Sequence, residues 1–262
     1  MLKETISRKD VKIQYCSDLH LEFYENKMYL KQFPIKPEGE ILVLAGDIIL
    51  LKDLQEHEDF FTFCADHFEA TYWIPGNHEY YHGDLGRAES PLMQKIKKNV
   101  WLVNNVIMPY KHLNLICSTL WSKITPLHAF DIQRSVSDFF TIRWNENKFT
   151  SRQFNELHRE SMSFLQKALL ECAGSKNIIV THHVPTLYHY PQQYRNSAIN
   201  EAFAVVLYDF IENSGAAYWI YGHHHTNIPA FTIGTTIMVT NQLGYVQQNE
   251  HQLFDRSAII EL

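Results

Sequence analysis

An α/β fold with a mixed sheet is predicted by three observations. Short apolar runs alternate with segments of helical spacing along most of the chain. The run Ile41–Ala45 (ILVLA) is apolar at every position, which suits a strand buried on both faces. Beyond Ala230 the pattern breaks into short β runs separated by Gly234, Gly244 and polar turns.

Taken in order, Val11–Ser17 reads as the first strand and Ile41–Ala45 as the second. Leu54–Phe68 places Phe60, Phe61, Phe63, Cys64 and Phe68 at helix-compatible spacings. Ala70–Ile74 is strand-like and stops at Pro75-Gly76. Pro91–Lys98 is predicted as a short helix, and Trp101–Val103 and Leu113–Ser118 as strands. The longest helix is expected over Phe149–Cys172, with Thr150 or Ser151 as N-cap and an apolar stripe from Phe154 to Leu169. Asn177–Val180 is a strand, Ala198–Asn213 a helix, and Ala216–Tyr221 a further strand. No linker, low-complexity tract or repeat divides the chain, so residues 1–262 are expected to form a single domain. Its least regular stretch, 121–147, reads as a loop or small helical insertion.

Composition narrows the function. The chain has 262 residues, 45% apolar and 20% charged, with a formal net charge of −6. These values exclude a disordered chain and make nucleic acid an improbable partner. The longest apolar stretch is far short of a membrane span, so no membrane association is expected. The opening MLKETISRKD is polar, and Cys16, Cys64, Cys117 and Cys172 are scattered, which together suggest the reducing cytoplasm. The unusual feature is 15 histidines.

Five strand-like runs end in residues that can bind metal or move protons: Asp18-Leu19-His20, Gly46-Asp47, Gly76-Asn77-His78-Glu79, His182-His183 and Gly222-His223-His224-His225. In α/β sheets, sites lie beyond the carboxyl ends of strands, so these endings can converge. Asp and His suit divalent first-row metals, and no thiolate is among them. The two-residue spacings Asp18/His20 and His223/His225 would put both side chains on one side of an extended segment. An Asp47 carboxylate can bridge two cations. Each preceding glycine allows a sharp turn or a close backbone approach.

The ordered set DLH, GD, GNHE, HH, GHHH resembles the calcineurin-like metallophosphoesterase superfamily. Ser118-Thr119-Leu120-Trp121 and Gly244-Tyr245 are similar to a bacterial-type single-domain branch of it. The resemblance implies a four-layer α/β/β/α sandwich of two mixed sheets with flanking helices. It also implies two divalent metal ions, of Mn, Fe or Zn type. Asp18, His20, Asp47 and His225 would hold one, and Asp47, Asn77, His182 and His223 the other. His78 would be the proton donor, and a metal-bridging hydroxide held through Asp47 would attack phosphorus in a small phosphomonoester or phosphodiester. His182 is taken as the ligand of its pair, leaving His183 to a supporting or substrate contact. Glu79 either orients His78 or Asn77 or is a loop charge, and His224 reads as a rim residue. Two other readings stay open: a non-catalytic scaffold of this fold binding a protein partner, and a nuclease of the same fold. The loop aromatics Tyr80, Tyr81, Trp121, Trp144, Tyr188, Tyr190 and Tyr194 could stack on a flat group, although core or rim packing is the favoured reading for them, and Arg134, Arg143 and Arg195 could grip a second phosphate. Oligomeric state is not readable.

Overall fold

The computed structural model describes residues 10–262. Two six-stranded sheets face each other, each with a parallel centre and antiparallel edges. The first sheet uses β1 (Lys12–Cys16), β2 (Ile41–Ala45), β3 (Ala70–Ile74), β4 (Leu92–Lys97) and β5 (Val100–Asn104). The second begins with β6 (Val106–Tyr110) and β7 (Leu113–Cys117). A two-stranded ribbon, β8 (Arg143–Trp144) with β9 (Asn147–Lys148), precedes β10 (Lys176–Val180), β11 (Tyr218–Ile220), β12 (Phe231–Ile233) and β13 (Thr236–Val239). The chain then returns to the first sheet with β14 (Ile259–Glu261), giving the orders β14-β1-β2-β3-β5-β4 and β12-β13-β11-β10-β7-β6.

Helices are α1 (Tyr24–Gln32), α2 (Glu58–His67), α3 (Ala129–Ser135), α4 (Asp138–Thr141), α5 (Ser151–Glu171) and α6 (Tyr208–Glu212). Between the sheets lie Ile13, Val43 and Ile74 from one and Leu115, Ile178 and Ile220 from the other. Alternate residues of the same strands face outward. Leu42, Leu44 and Trp73 meet Phe61 and Cys64 of α2, while Ile179 and Trp219 meet Leu165 and Ala168 of α5. Strands buried on both faces need apolar residues throughout, which is why β2 reads ILVLA. The layers are therefore α/β/β/α, the predicted sandwich.

Several elements differ from the sequence reading. Residues 92–97 form an edge strand paired with β5 rather than a helix. Leu92 and Ile96 stand four apart, and that spacing puts both on one side of either element. The helix expected over 198–213 is a short 3-10 turn, Asn200–Ala202, and then α6. Between them Ala204 bridges Val184 and pulls the backbone out of any helix. Neither α1 nor β6 was foreseen. The one buried residue of α1 is the polar Asn26, so it carries no apolar stripe. Thr150 caps α5 through a capping box with Gln153. The 121–147 segment carries α3, α4 and β8, and its Ile132, Phe139 and Ile142 share a small core with Tyr80, Leu85, Phe149 and Phe154 of α5.

Candidate metal centre

All five predicted strand endings meet at one end of the sandwich, at the C-terminal ends of β1, β2, β3, β10 and β11. The predicted ligand residues are buried except His225, which is partly exposed. They form two donor groups around Asp47. His20 Nε2 lies 3.1 Å from His225 Nε2 and 3.7 Å from Asp47 Oδ2, and His225 Nε2 is 3.4 Å from Asp18 Oδ1. On the other side His182 Nε2 lies 3.2 Å from Asn77 Oδ1, 3.1 Å from His223 Nδ1 and 3.4 Å from Asp47 Oδ1. Each Asp47 oxygen thus faces a different group.

The outward nitrogen of most rings is held by an acceptor, which sets the tautomer and aims the other nitrogen inward. His20 Nδ1 pairs with Glu22 Oε1 at 3.0 Å, His182 Nδ1 with the Ala45 carbonyl at 2.9 Å, and His225 Nδ1 with Glu250 Oε2 at 2.7 Å. Asn77 donates from Nδ2 to Asp138 Oδ1 at 2.8 Å, which leaves its carbonyl oxygen facing His182. Asp138 begins α4, so the irregular 121–147 segment supplies the residue that orients Asn77. His223 is held by stacking between His183, with ring centres 4.2 Å apart, and Phe203 at 5.0 Å.

Imidazole nitrogens about 3 Å apart with carboxylate oxygens beside them form no complete hydrogen-bond scheme. A divalent cation in each group would satisfy them all, and a set of N and O donors without thiolate suits a divalent first-row metal. The residues present therefore fit two cations.

The backbone explains why the two-residue spacings work, and it corrects one expectation. Asp18 and His20 do not share an extended segment. Both are left-handed, at φ 55° and 45°, as are Asp47 at 55°, His223 at 81° and His225 at 48°. Successive left-handed turns at the strand ends, rather than strand alternation, bring the side chains together. Gly46 is also left-handed at φ 93°, while Gly76 and Gly222 serve close approach. A methyl on Gly76 would sit 2.2 Å from Asp47 Oδ1.

Glu79 is no loop charge. Its buried carboxylate accepts four N–H bonds, from Asp47 N, Ile48 N, Gly76 N and Trp73 Nε1, at 2.7–2.9 Å. It ties the β2 and β3 loops together, and thereby Asp47 and Asn77. Burial and then the Asp47 charge push its pKa up to about 8, against the pull of those donors. His183 is fully buried, with Nδ1 against Ser122 and its ring on His223 and Trp121, and it is absent from the cavity wall. His224 is not a solvent residue. It is buried, held by Gln242 and stacked on Tyr190, and burial pulls its pKa down to about 4.

His78 stands where the centre opens. Its Nδ1 lies 3.0 Å from Glu22 Oε1, its ring stacks on Tyr81 at 4.1 Å, and its Nε2 is 3.5 Å from the Tyr245 hydroxyl. Burial lowers its pKa, but the carboxylates of Asp47, Glu22 and Asp138 outweigh that and hold it above the ordinary imidazole value. Sequence reasoning missed Glu22, which lies two residues after His20 and repeats the Asp18–His20 spacing. It also missed Asp138 and Glu250, which no local pattern marks, and it singled out Gly244-Tyr245 without giving Tyr245 a place beside His78. A cavity of about 600 Å³ lies over His78, Asp47, Asn77 and His223. Tyr81, Tyr190 and Tyr194 line it, whereas Arg134, Arg143 and Arg195 do not. Tyr80 and Trp121 are core residues, so the packing reading holds for them.

A family profile described as calcineurin-like phosphoesterase matches residues 11–227. The chain is 31% identical over 277 residues to uncharacterized protein L509 of Acanthamoeba polyphaga mimivirus, covering 95% of this chain and 96% of that one. Among solved structures it is similar to the phosphopantetheinyl hydrolase PptH from Mycobacterium tuberculosis. The TM-score is 0.70 at 15% identity, over 96% of this chain and 95% of that one, a likeness of fold. The chain belongs to the calcineurin-like phosphoesterase family. The family implies divalent metals, and the two donor groups are candidates to hold them. Among the described residues, no helix is long and apolar enough to cross a membrane.

Proposed function

We propose that the protein is a dinuclear metal-dependent phosphoesterase acting on a small phosphate ester. The observation that carries this reading is the pair of donor groups sharing Asp47, with His78 beside them at the floor of the cavity. Asp18, His20, Asp47 and His225 would hold one cation, and Asp47, Asn77, His182 and His223 the other. Two such cations, of Mn, Fe or Zn type, would supply Lewis acidity and charge neutralisation at phosphorus.

The chain's own residues do the rest. The His78 backbone N–H donates to Asp47 Oδ1 at 2.9 Å and fixes the ring's position relative to the shared carboxylate. Glu22 accepts the Nδ1 proton of His78 and favours the protonated ring. Nε2–H then faces the cavity and gives its proton to the departing oxygen. Tyr245 borders that nitrogen and Tyr81 covers one face of the ring. Four free, buried cysteines are in keeping with a reducing compartment, the cytoplasm. A nuclease reading gains no support, because among the described residues no lysine or arginine lines the cavity.

The test is an initial-rate assay with added Mn²⁺ on phenyl phosphate and diphenyl phosphate, whose phenolate leaves poorly without a proton, with His78→Ala alongside. Loss of a general acid lowers kcat by roughly 10²–10⁴-fold. Turnover by the parent with such a loss in the variant, at unchanged metal content, is the expected result. Equal rates in both proteins would remove His78 from the mechanism.

A further inference from the structure

The charge of the cavity selects among phosphate esters, and this step rests on the phosphoesterase reading above. Glu22, Asp47, Asp138 and Glu250 all reach the cavity wall, and Asp18 lies buried beneath. Two divalent cations and a protonated His78 would be balanced by these five carboxylates, which leaves no positive charge over for a further anion. Among the described residues the wall carries no lysine or arginine to receive a further anion. Much of the remaining wall is apolar or aromatic: Phe23, Tyr81, Val136, Tyr190, Tyr194 and Phe203. Such faces take up a flat or apolar group, and Tyr faces also favour a cation.

We infer that the substrate is a phosphate ester whose single anionic group is the phosphoryl centre, carrying an uncharged or cationic aromatic or apolar arm. Esters with a second phosphate or a carboxylate on the arm are rejected. At about 600 Å³ the cavity holds an arm of roughly drug-like size in addition to the phosphoryl group.

Three p-nitrophenyl phosphodiesters test this, differing only in the second arm: phenyl, 4-trimethylammoniophenyl and 4-carboxyphenyl. With Mn²⁺ present, kcat/KM for the first two is expected to agree within tenfold. The carboxylate ester is expected to fall at least tenfold below them, mainly through KM, because like charges meet in a partly desolvated site. Ser135 is exposed on the cavity wall, and Ser135→Lys is expected to close much of the gap between the carboxylate and phenyl esters, read as the ratio of their kcat/KM values in the variant. Calorimetry with the three matching non-hydrolysable phosphonates gives a second readout, with the same order of affinity expected. Equal handling of all three arms, in turnover or in binding, overturns the inference. If no ester is turned over, the phosphoesterase reading fails, and the phosphonate series still decides the charge preference on its own.

Discussion

Gly76→Ala is a one-carbon change that tests the whole centre. The added methyl would lie 2.2 Å from Asp47 Oδ1, 2.6 Å from His182 Nε2 and 2.8 Å from the Asp47 backbone nitrogen. Real methyl contacts essentially never fall below 3.0 Å, so the Asp47 carboxylate must retreat by about 1 Å, roughly five times the ~0.2 Å that a metal–ligand distance tolerates. The backbone nitrogen on the same side prevents the loop from absorbing the shift. Because Asp47 faces both donor groups, both are disturbed at once. Disturbing residues that merely support a ligand weakens metal binding about 10–100-fold, so displacing a shared ligand should cost at least 100-fold. The fold should survive with a loss of about 1–3 kcal/mol, typical of overpacking. Calorimetric titration of Mn²⁺ into chelator-treated protein, with circular dichroism on the same samples, reads both quantities. Gly83→Ala is the control, since its methyl would meet only the Tyr80 backbone, nearest at 3.2 Å. Two Mn²⁺ bound by Gly76→Ala within threefold of parent affinity would refute the packing argument and the shared role of Asp47.

Glu79→Gln replaces an acceptor of four N–H bonds with a group that can accept on one end only, so two donors are left facing an amide NH₂. Measured at pH 9, above the Glu79 pKa of about 8, stability should fall by about 2–4 kcal/mol in urea unfolding, and a loss under 1 kcal/mol there would mean that the four bonds are loosely held. Glu22 carries a pH signature in the metal-free protein. Burial raises its pKa, but hydrogen bonds from His20 and His78 outweigh burial and bring it from 4.5 to about 2. A depressed carboxylate pKa contributes stability above the unfolded value and loses it as pH falls toward the folded one. The stability gap between parent and Glu22→Gln should therefore shrink from about 3 kcal/mol at pH 6 to about 1 kcal/mol at pH 3. A gap independent of pH would show that Glu22 acts by shape rather than charge.

Much of this centre is legible in sequence because its donors sit at strand ends. A strand buried on both faces must be apolar throughout, so ILVLA followed by Gly46-Asp47 marks both the element and its exit. β3 before Gly76-Asn77 and β11 before Gly222-His223 carry the same signal, broken in β3 only by the buried Thr71. Edge strands lack that signal: β4 has only one covered face, and the Leu92–Ile96 spacing serves a helix equally well. Residues that hold the donors in place are the harder part. Glu250 and Asp138 lie 25 and 61 positions from the rings and amides they orient. Only the crossing of the chain between sheets, or the folding of the insertion, brings them there.

The left-handed residues connect the fold to the chemistry. A β-carbon in that conformation costs about 1–2 kcal/mol per residue relative to right-handed backbone, with Asp and Asn somewhat cheaper. Asp18, His20, Asp47, His223 and His225 all accept it. Glycine would relieve the backbone at each position, yet glycine offers no donor atom. Side-chain chemistry therefore overrides backbone preference at the strand ends, and surrounding bonds must hold the loops in place. Asp18 N and His20 N donate to the Gly46 and Asp47 carbonyls, His223 N donates to the Asp18 carboxylate, and Gln242 fixes the His225 backbone at 2.7 Å. These bonds run from one donor loop to another or to the β13 exit, so the loops restrain one another. The strain is local, but its restraint belongs to the junction of the two sheets, which is where a fold of this kind can keep five unfavourable backbones in register.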